Sequence, residues 1–258
     1  MSELSHIIAE ATVRVESIED FCLETVAPIL KQWDFCRITG LVTEEQAKQS
    51  LDAVAATFSD IVDHPVTGEA ASDVMTNFQK MSIGRARHGG VDRPRFMRTL
   101  YNPVWCDDIY KMRDNFTALA QVRNILSGMP RDFAIARVED DVWTAARIHH
   151  FPSGGGFMVD HKDTVLPKML KENDFSGEYY QLLLLLSQKG EDFETGGGTV
   201  ELNGEMIEYE DYTLRGDILV YNGSTVHGVN DIDPHLRYVQ SSPAGRYSAL
   251  ATLFKKLG

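Results

Sequence analysis

The spacing of apolar residues changes near residue 130, from a helical period to short runs typical of strands. After Thr43, apolar side chains recur every three or four residues, at Ala47, Leu51, Val54, Phe58 and Ile61. Thr43 and Gln46 also have the spacing of a capping box, in which each side chain satisfies the other's backbone N–H. The pattern therefore predicts an amphipathic helix that begins just after Thr43.

Two further helices are predicted in the first half. Residues 17–33 have apolar side chains at helical spacing, and Ser17 and Asp20 are spaced as a capping box, although Pro28 interrupts the pattern. Another helix is expected to end near Leu126, because a glycine and a proline follow it within four residues.

The second half of the chain consists of short apolar runs separated by glycine-rich turns. Strands are predicted over residues 145–151, 179–187, 198–202, 206–209, 217–221 and 247–254. Asn203-Gly204 has the composition of a two-residue hairpin turn, since both residues tolerate positive φ. We expect an α+β protein with a mainly β core, a sandwich or jelly roll, and N-terminal helices that buttress one sheet. Residues 1–258 would form a single domain, with a mainly helical part over 1–130 and the β core over 131–258.

Charge and composition narrow the class of protein. Among 258 residues, 38 acidic ones outnumber 25 Lys and Arg, giving a net charge of −13, so a nucleic-acid partner is not expected. The longest aliphatic stretch, 182–186, is far shorter than the roughly 20 residues of a membrane span, and the N-terminus lacks a basic, apolar leader. Three scattered cysteines form no CxxC pair, which indicates a reducing compartment. We expect a cytoplasmic protein without a membrane partner.

Two histidines and an aspartate make up the candidate metal site. His161 and Asp163 are one residue apart, so at a strand end their side chains point to the same side. His227 would complete a triad of two imidazoles and one carboxylate, which suits iron(II) and leaves positions for O2 and a co-substrate. The HxD spacing alone is not specific, because 8 His and 38 acidic residues produce about one match by chance.

The order of the surrounding segments is more specific than the ligand spacing. RIHHFPSGGGFMVDHKD leads from a strand through a glycine-rich turn to His161 and Asp163, and FETGGGTVEL follows the apolar strand YYQLLLLLS. RGDILVYNGSTVHGV then brings in His227, and GRYS opens the last strand with Arg246. Taken in order, residues 145–254 resemble the 2-oxoglutarate/Fe(II) dioxygenase superfamily, in the branch typified by prolyl 4-hydroxylases.

The resemblance implies a fold and an activity. The fold would be a double-stranded β-helix, a form of jelly roll, with the metal inside one mouth. His161, Asp163 and His227 would hold Fe(II). The enzyme would use 2-oxoglutarate and O2 as co-substrates, with ascorbate as an optional reductant, and would release succinate and CO2.

The same resemblance assigns the 2-oxoglutarate carboxylate to Arg246, helped by Ser248 two residues further along the strand. Arg237 is the alternative anchor, because it lies nearer the usual distance behind the distal histidine. Phe151 occupies a position where many relatives have tyrosine. On the strand before the variable loop, Gln181 or Tyr179 is the candidate replacement for the missing hydroxyl.

Substrate contacts are predicted in two polar segments of the chain. Arg147 and His149 alternate on one face of the strand that leads to the candidate site, so both contact substrate if that face points inward and neither does if it points outward. His150 lies on the other face and is expected to be structural. A basic cluster in this acidic chain comprises Arg85, Arg87, His88, Arg93, Arg95 and Arg98. The cluster is either a lid that binds an anionic substrate, with Arg98 as the contact, or a solvated loop.

Three functions remain open at this point. The first is a stand-alone oxygenase of a small molecule, such as an amino acid or a secondary-metabolite intermediate, as a monomer or a homodimer. The second is a hydroxylase of protein side chains, as in the prolyl 4-hydroxylase branch. The third is a non-catalytic jelly-roll protein that binds metal. The carboxylate of Asp163 favours hydroxylation, desaturation or cyclisation, because halogenating relatives leave this position small to admit chloride.

Overall fold

The computed structural model describes residues 3–58, 73–88, 91–163 and 179–255, of which 3, 73, 85–88 and 91–92 are described by their backbone alone. Four helices lie in this part of the chain: α1 (Glu3–Glu10), α2 (Leu23–Trp33), α3 (Glu44–Thr57) and α4 (Arg113–Leu126). Its strands are β1 (Thr12–Arg14), β2 (Phe35–Thr39), β3 (Phe78–His88), β4 (Val91–Tyr101), β5 (Val142–Pro152), β6 (Gly156–His161), β7 (Tyr180–Leu185), β8 (Gly197–Leu202), β9 (Glu205–Glu208), β10 (Ile218–Asn222), β11 (His227–Ile232) and β12 (Gly245–Lys255).

Eight of these strands build two four-stranded antiparallel sheets. One sheet has the order β10-β7-β12-β5, and the other has the order β6-β11-β8-β9. Apolar side chains from both sheets share one core, in which Leu183 and Leu250 pack with Val200. Two such sheets with interdigitating inner faces are a jelly roll. The predicted double-stranded β-helix is confirmed, including a strand at each of the six predicted positions.

Helices α2, α3 and α4 cover the outer face of the first sheet. Leu30 of α2, Val54 of α3 and Phe116 of α4 share a core with Leu184 and Ala249, which lie on that outer face. The neighbouring strand residues point to the inner core instead, as the period of two requires. The prediction that N-terminal helices buttress one sheet therefore agrees with the packing. No helix among the described residues has the length and apolar character needed to cross a membrane.

Turn and cap chemistry sets several of the element boundaries. At the start of α3, the Thr43 hydroxyl accepts a bond from the Gln46 N–H at 3.2 Å, and the Gln46 side chain accepts one from the Thr43 N–H at 2.8 Å. The predicted capping box is thus confirmed, whereas Ile61 lies outside the described residues. Asn203 and Gly204, which join β8 to β9, have φ values of 53° and 81°, as the predicted hairpin turn requires.

The predicted helix over residues 17–33 is wrong in its first turn. The Ser17 hydroxyl donates to the Asp20 carboxylate at 2.7 Å and makes no capping bond to a backbone N–H, so this side chain does not cap a helix. A short 3-10 turn follows, and α2 begins only at Leu23. Pro28 lies inside α2.

Strands β3 and β4, within residues 1–130, were not predicted. They form an eleven-residue antiparallel ladder, and β4 pairs with both β5 and β6, so the ladder extends the barrel wall and bridges its two sheets. The basic cluster lies on this ladder, and not on a loop. Its strands were missed because the inner face carries polar side chains such as Lys80 and Thr99, both buried, and the apolar–polar alternation disappears.

Candidate metal centre

The three predicted metal ligands meet where β6 ends and β11 begins. His161 is the last residue of β6 and His227 the first of β11, and the two are direct neighbours across the ladder. Asp163 follows two residues after β6, where its N–H donates to the Gly223 carbonyl at 2.9 Å. One ligand atom from each side chain lies within 4.8 Å of the other two. The Asp163 carboxylate is 3.9 Å from His161 Nε2 and 3.7 Å from His227 Nε2.

Hydrogen bonds orient both imidazoles for metal binding. His161 Nδ1 donates to the Val159 carbonyl and His227 Nδ1 to the Thr225 carbonyl, each at 2.9 Å. With Nδ1 protonated, each Nε2 is left with a lone pair directed at the Asp163 carboxylate. Burial, followed by the neighbouring His227, lowers the pKa of His161 to about 4, so this imidazole is neutral at neutral pH.

This donor set fits a divalent transition-metal ion. Two neutral imidazoles and one carboxylate on one side of an ion form the facial arrangement found in non-haem iron enzymes. Backbone carbonyls hold both rings from behind, which is the usual way in which proteins fix histidine ligands. Among the described residues, the metal-binding side chains that converge in a group of three are those of His161, Asp163 and His227.

Arg93 of β4 is a component of the centre that the sequence did not reveal. Its Nη1 donates to Asp163 Oδ1 at 3.3 Å, and its Nη2 donates to the Lys162 carbonyl at 2.7 Å. The side chain is only 7% exposed. Arg93 therefore holds the carboxylate ligand and its loop in place. The sequence showed Arg93 only as a member of a basic cluster, because the strand that carries it was not predicted.

Arg246 lies deeper in the barrel and is 1% exposed. Its Nε donates to the Glu210 carboxylate, its Nη2 to the Tyr209 hydroxyl at 2.7 Å, and its Nη1 to the Ser248 hydroxyl at 3.3 Å. Burial opposes the charged guanidinium, but the Glu210 carboxylate more than offsets it and raises the pKa of Arg246. The alternative anchor, Arg237, is exposed. The interior of the barrel thus contains Arg246 with Ser248 and does not contain Arg237.

Glu210 and Tyr209 were not foreseen as partners of Arg246. Gly198 of β8 explains how they reach it: its N–H donates to the Glu210 carboxylate at 2.6 Å. A Cβ at position 198 would lie 1.9 Å from the Tyr209 hydroxyl oxygen, so only glycine leaves room for that phenol. The glycine run in FETGGGTVEL was the sequence signal for this close approach, but it did not identify the residues that approach.

The strand β5 presents its odd-numbered polar residues to the interior. By register, His149 lies beside Ser248 on β12 and beside Thr99 on β4, and Thr99 in turn lies beside Lys80 on β3. Arg147 Nε donates to His149 Nε2 at 3.1 Å. The inward orientation predicted for this pair is therefore the one observed.

Gln181 and Tyr179, the suggested replacements for the missing hydroxyl, bond to each other. The Tyr179 hydroxyl donates to Gln181 Oε1 at 2.6 Å, and both residues are buried. Gln181 is the neighbour of Tyr221 across the ladder, and the ring centroid of Tyr221 is 4.9 Å from that of His227. Tyr179 and Gln181 thus lie at the level of the metal ligands, whereas Phe151 lies beside Arg246, deeper in the barrel.

Arg98, which was predicted to contact substrate, does not lie on the interior face that carries His149. By register Arg98 pairs with His150, and both point to the face opposite His149. Its guanidinium lies 4.8 Å from the ring centroid of Phe58 and donates to the Gln240 carbonyl at 3.2 Å. The side chain is 2% exposed and packs behind the barrel wall. Successive side chains of a strand point to opposite faces, so Arg98 and Thr99 cannot both face inward.

Comparison with known proteins identifies the fold. No protein-family model matches the sequence, and no curated protein is significantly similar to it. A Pseudomonas putida prolyl-4-hydroxylase is 14% identical, with a TM-score of 0.53 over 91% of this chain and 99% of that one. A putative 2OG-Fe(II) oxygenase family protein from Caulobacter crescentus is 15% identical, with a TM-score of 0.50 over 95% and 85%. The chain has the fold of the 2-oxoglutarate/Fe(II) oxygenases.

A third structure extends the range of reactions seen on this fold. SnoN, a non-heme alpha ketoglutarate dependent epimerase from nogalamycin biosynthesis, is 12% identical, with a TM-score of 0.50 over 90% of this chain and 82% of that one. At these identities the similarity concerns the fold. The chemistry of this chain has to be argued from its own side chains.

Proposed function

We propose that this protein is an Fe(II)- and 2-oxoglutarate-dependent oxygenase that oxidises a small molecule. The observation that carries the proposal is the convergence of His161, Asp163 and His227, with both imidazoles held in the tautomer that leaves Nε2 unprotonated. This set lies inside the mouth of a jelly roll that has the fold of known 2-oxoglutarate/Fe(II) oxygenases.

The metal would supply the oxidative chemistry, and the side chains of the protein would hold and orient the metal. Bound Fe(II) supplies O2 activation, coupled to the conversion of 2-oxoglutarate into succinate and CO2. His161, Asp163 and His227 would occupy three positions of the metal and leave the others for co-substrates. Arg93 would keep the Asp163 carboxylate oriented, because it bonds both that side chain and the preceding carbonyl.

Arg246 and Ser248 would bind the distal carboxylate of 2-oxoglutarate. Glu210 accepts from Nε of Arg246, so this bond fixes the guanidinium plane and leaves both terminal nitrogens facing hydroxyl groups. A carboxylate can displace these neutral partners and form a bidentate, charge-assisted pair. Arg246 is therefore held ready for its ligand before the ligand arrives.

The walls of the barrel favour a reaction in a dry, enclosed space. Leu183 and Leu250, together with other aliphatic side chains, fill the region between the sheets around the polar groups. Exclusion of water protects reactive species and strengthens the electrostatic interactions of the site. Because Asp163 occupies the position of the metal ligand with a carboxylate, we expect hydroxylation, desaturation or cyclisation and no chlorinated product.

The test measures co-substrate binding without turnover. Protein reconstituted with Fe(II) in the absence of O2 is titrated with 2-oxoglutarate, and the visible charge-transfer band of the chelate is followed. We expect saturable binding with one metal per chain. Arg246→Ala should raise the half-saturating 2-oxoglutarate concentration by about tenfold or more, as expected for loss of a charge-assisted bond. Arg237→Ala, a matched arginine substitution at an exposed position, should leave it within about twofold. Equal effects of the two substitutions would refute the assignment of Arg246.

The class of substrate is tested separately. Succinate formation is measured with free amino acids and other small metabolites, and in parallel with proline-containing peptides. Activity with small molecules alone supports the proposal, whereas activity with peptides alone favours a hydroxylase of protein side chains. Absence of both the Fe(II)–2-oxoglutarate chelate and succinate formation would leave a non-catalytic jelly-roll protein as the better description.

A further inference from the structure

Arg147 is a cation inside the barrel that lacks an acidic partner. Its Nε donates to His149 Nε2 at 3.1 Å and its Nη1 to the Ala145 carbonyl at 3.2 Å, and both acceptors are neutral. Within the part of the chain that the structure describes, Arg147 forms no ion pair, and its Nη2 donates no hydrogen bond. Two bonds thus hold the guanidinium in a defined orientation while part of its donor capacity is left for another molecule.

Arg147 lies at the metal end of the barrel. The Tyr179 carbonyl accepts from the Gly223 N–H, and the Gly223 carbonyl accepts from the Asp163 N–H, both at 2.9 Å, so Tyr179 lies close behind a metal ligand. Burial raises the pKa of the Tyr179 phenol, the Asp163 charge raises it further, and the Arg147 charge lowers it. The same phenol therefore senses the metal carboxylate and the Arg147 guanidinium.

Further cationic side chains lie near His149. Burial lowers the pKa of His149 well below its usual value, and the charges of Arg147, Arg95, Arg246 and Lys80 lower it further. His149 is therefore neutral and can accept from Arg147 without adding charge. Among the described residues, two carboxylates of the interior are already engaged, since Asp163 pairs with Arg93 and Glu210 with Arg246.

Neither the metal ligands nor the anchor of 2-oxoglutarate accounts for Arg147. Arg246 lies two positions beyond Ser248 in the barrel, opposite Phe151, whereas Arg147 lies opposite Leu250, on the other side of His149. Arg147 is partly buried, and a partly desolvated charge without an acidic partner is costly unless a ligand supplies the opposite charge. This charge lies near Tyr179, at the metal end of the barrel.

We infer that Arg147 binds an oxyanion of the substrate, so the substrate of this oxygenase is a small organic anion that carries a carboxylate or a phosphate group. The inference rests on the proposed function, because it places the reacting carbon beside the metal centre. Arg147 would bind the oxyanion through Nη2 and would select against neutral analogues, for which the desolvated charge stays unpaired. Lys80 and Arg95 add to the positive potential that attracts the anion.

The experiment uses protein loaded with Fe(II) and saturating 2-oxoglutarate in the absence of O2, so that the site of Arg246 is filled. Free amino acids, hydroxy acids and phosphate monoesters are titrated in, each beside its neutral amide, methyl ester or alcohol. Binding is read from the change in the visible band of the chelate. We expect oxyanion compounds of one class to bind and their neutral counterparts to bind at least about tenfold more weakly. Separate titrations with carboxylate compounds and with phosphate monoesters show which of the two oxyanions Arg147 binds.

Variants then assign the effect to Arg147. Arg147→Gln should weaken binding of the anionic compound by about tenfold or more, and Arg147→Lys should restore part of it, while the affinity for 2-oxoglutarate stays within about twofold in both. Retained 2-oxoglutarate binding shows that the variants are folded. Equal binding of neutral and anionic compounds, binding of no oxyanion, or an unchanged affinity in Arg147→Gln would overturn the inference. Failure to form the Fe(II)–2-oxoglutarate chelate in the unaltered protein would instead refute the proposed function.

Discussion

The two ends of the barrel interior differ in how their charges are balanced. At the deep end, Arg246 is matched by Glu210 and by the hydroxyls of Tyr209 and Ser248, all within the protein. At the metal end, Asp163 is paired with Arg93, and Arg147 points at no acid among the described residues. The charge of Arg246 is thus balanced by an acid of the protein, whereas among the described residues that of Arg147 is not.

This difference predicts that the two ends of the cavity contribute differently to the stability of the protein. A buried ion pair with all its hydrogen bonds contributes to the fold, and removal of one partner leaves a buried charge. A cluster that is completed by a metal and an anion contributes little to the stability of the protein without them, since like or unpaired charges are brought together. Substitutions at the two ends should therefore produce different phenotypes, and three predictions test this.

The largest effect on the free energy of unfolding is expected at Glu210. Glu210→Ala leaves the Arg246 guanidinium buried without its carboxylate, so stability should fall by about 3–5 kcal/mol. Urea denaturation followed by circular dichroism measures the change. Glu194→Ala is the control, because that carboxylate is 78% exposed and its pairing with His235 should contribute less than about 1 kcal/mol. If Glu210→Ala lowers the free energy of unfolding no more than Glu194→Ala does, the Arg246–Glu210 pair does not stabilise the fold as described.

The next effect concerns metal binding and leaves the fold unchanged. His227→Ala removes one of three ligands, and we expect the affinity for Fe(II) to fall by more than the roughly 10–100-fold that loss of a supporting group costs. Without metal, the free energy of unfolding should stay within about 1 kcal/mol of that of the unaltered protein. Elemental analysis after anaerobic reconstitution gives the metal content. His235→Ala, at an exposed histidine remote from the triad, should bind a full equivalent, and loss of metal in both variants would argue against the triad.

The smallest effect is expected at Arg93, which supports a ligand without being one. Arg93→Ala frees the Asp163 carboxylate from its guanidinium, and the affinity for Fe(II) should fall by about tenfold. Competition with a metal-binding dye measures the change. The matched control is Arg137→Ala, because that side chain is 80% exposed and pairs only with Glu139. An unchanged affinity in Arg93→Ala would mean that the loop after β6 holds Asp163 without help.

Local patterns along the chain predicted much of this architecture. Thr43 with Gln46, and Asn203 with Gly204, specify a cap and a turn through contacts between near neighbours. The six strand segments between residues 145 and 254 could be predicted because apolar runs and glycine turns are local features. The HxD spacing became specific only when it was combined with the order of these segments.

Contacts between distant segments could not be predicted. Arg93 reaches Asp163 across 70 residues, and Glu210 reaches Arg246 across 36. Nothing in the local sequence marks these acids and bases as partners, because a charged residue is the same in the sequence whether the folded protein exposes or buries it. The ladder β3–β4 was missed for a related reason, since its inner face is polar and lacks the usual alternation.

The order of motifs along the chain therefore predicted the type of fold and a set of candidate metal ligands. Only the tertiary structure decided which cations face the interior, which placed Arg147 inside and Arg98 outside, and which of them are neutralised there. The physical reason is that strand register sets the face of each side chain and burial sets the cost of its charge. Both depend on neighbours that are brought together by folding and are far apart in the sequence.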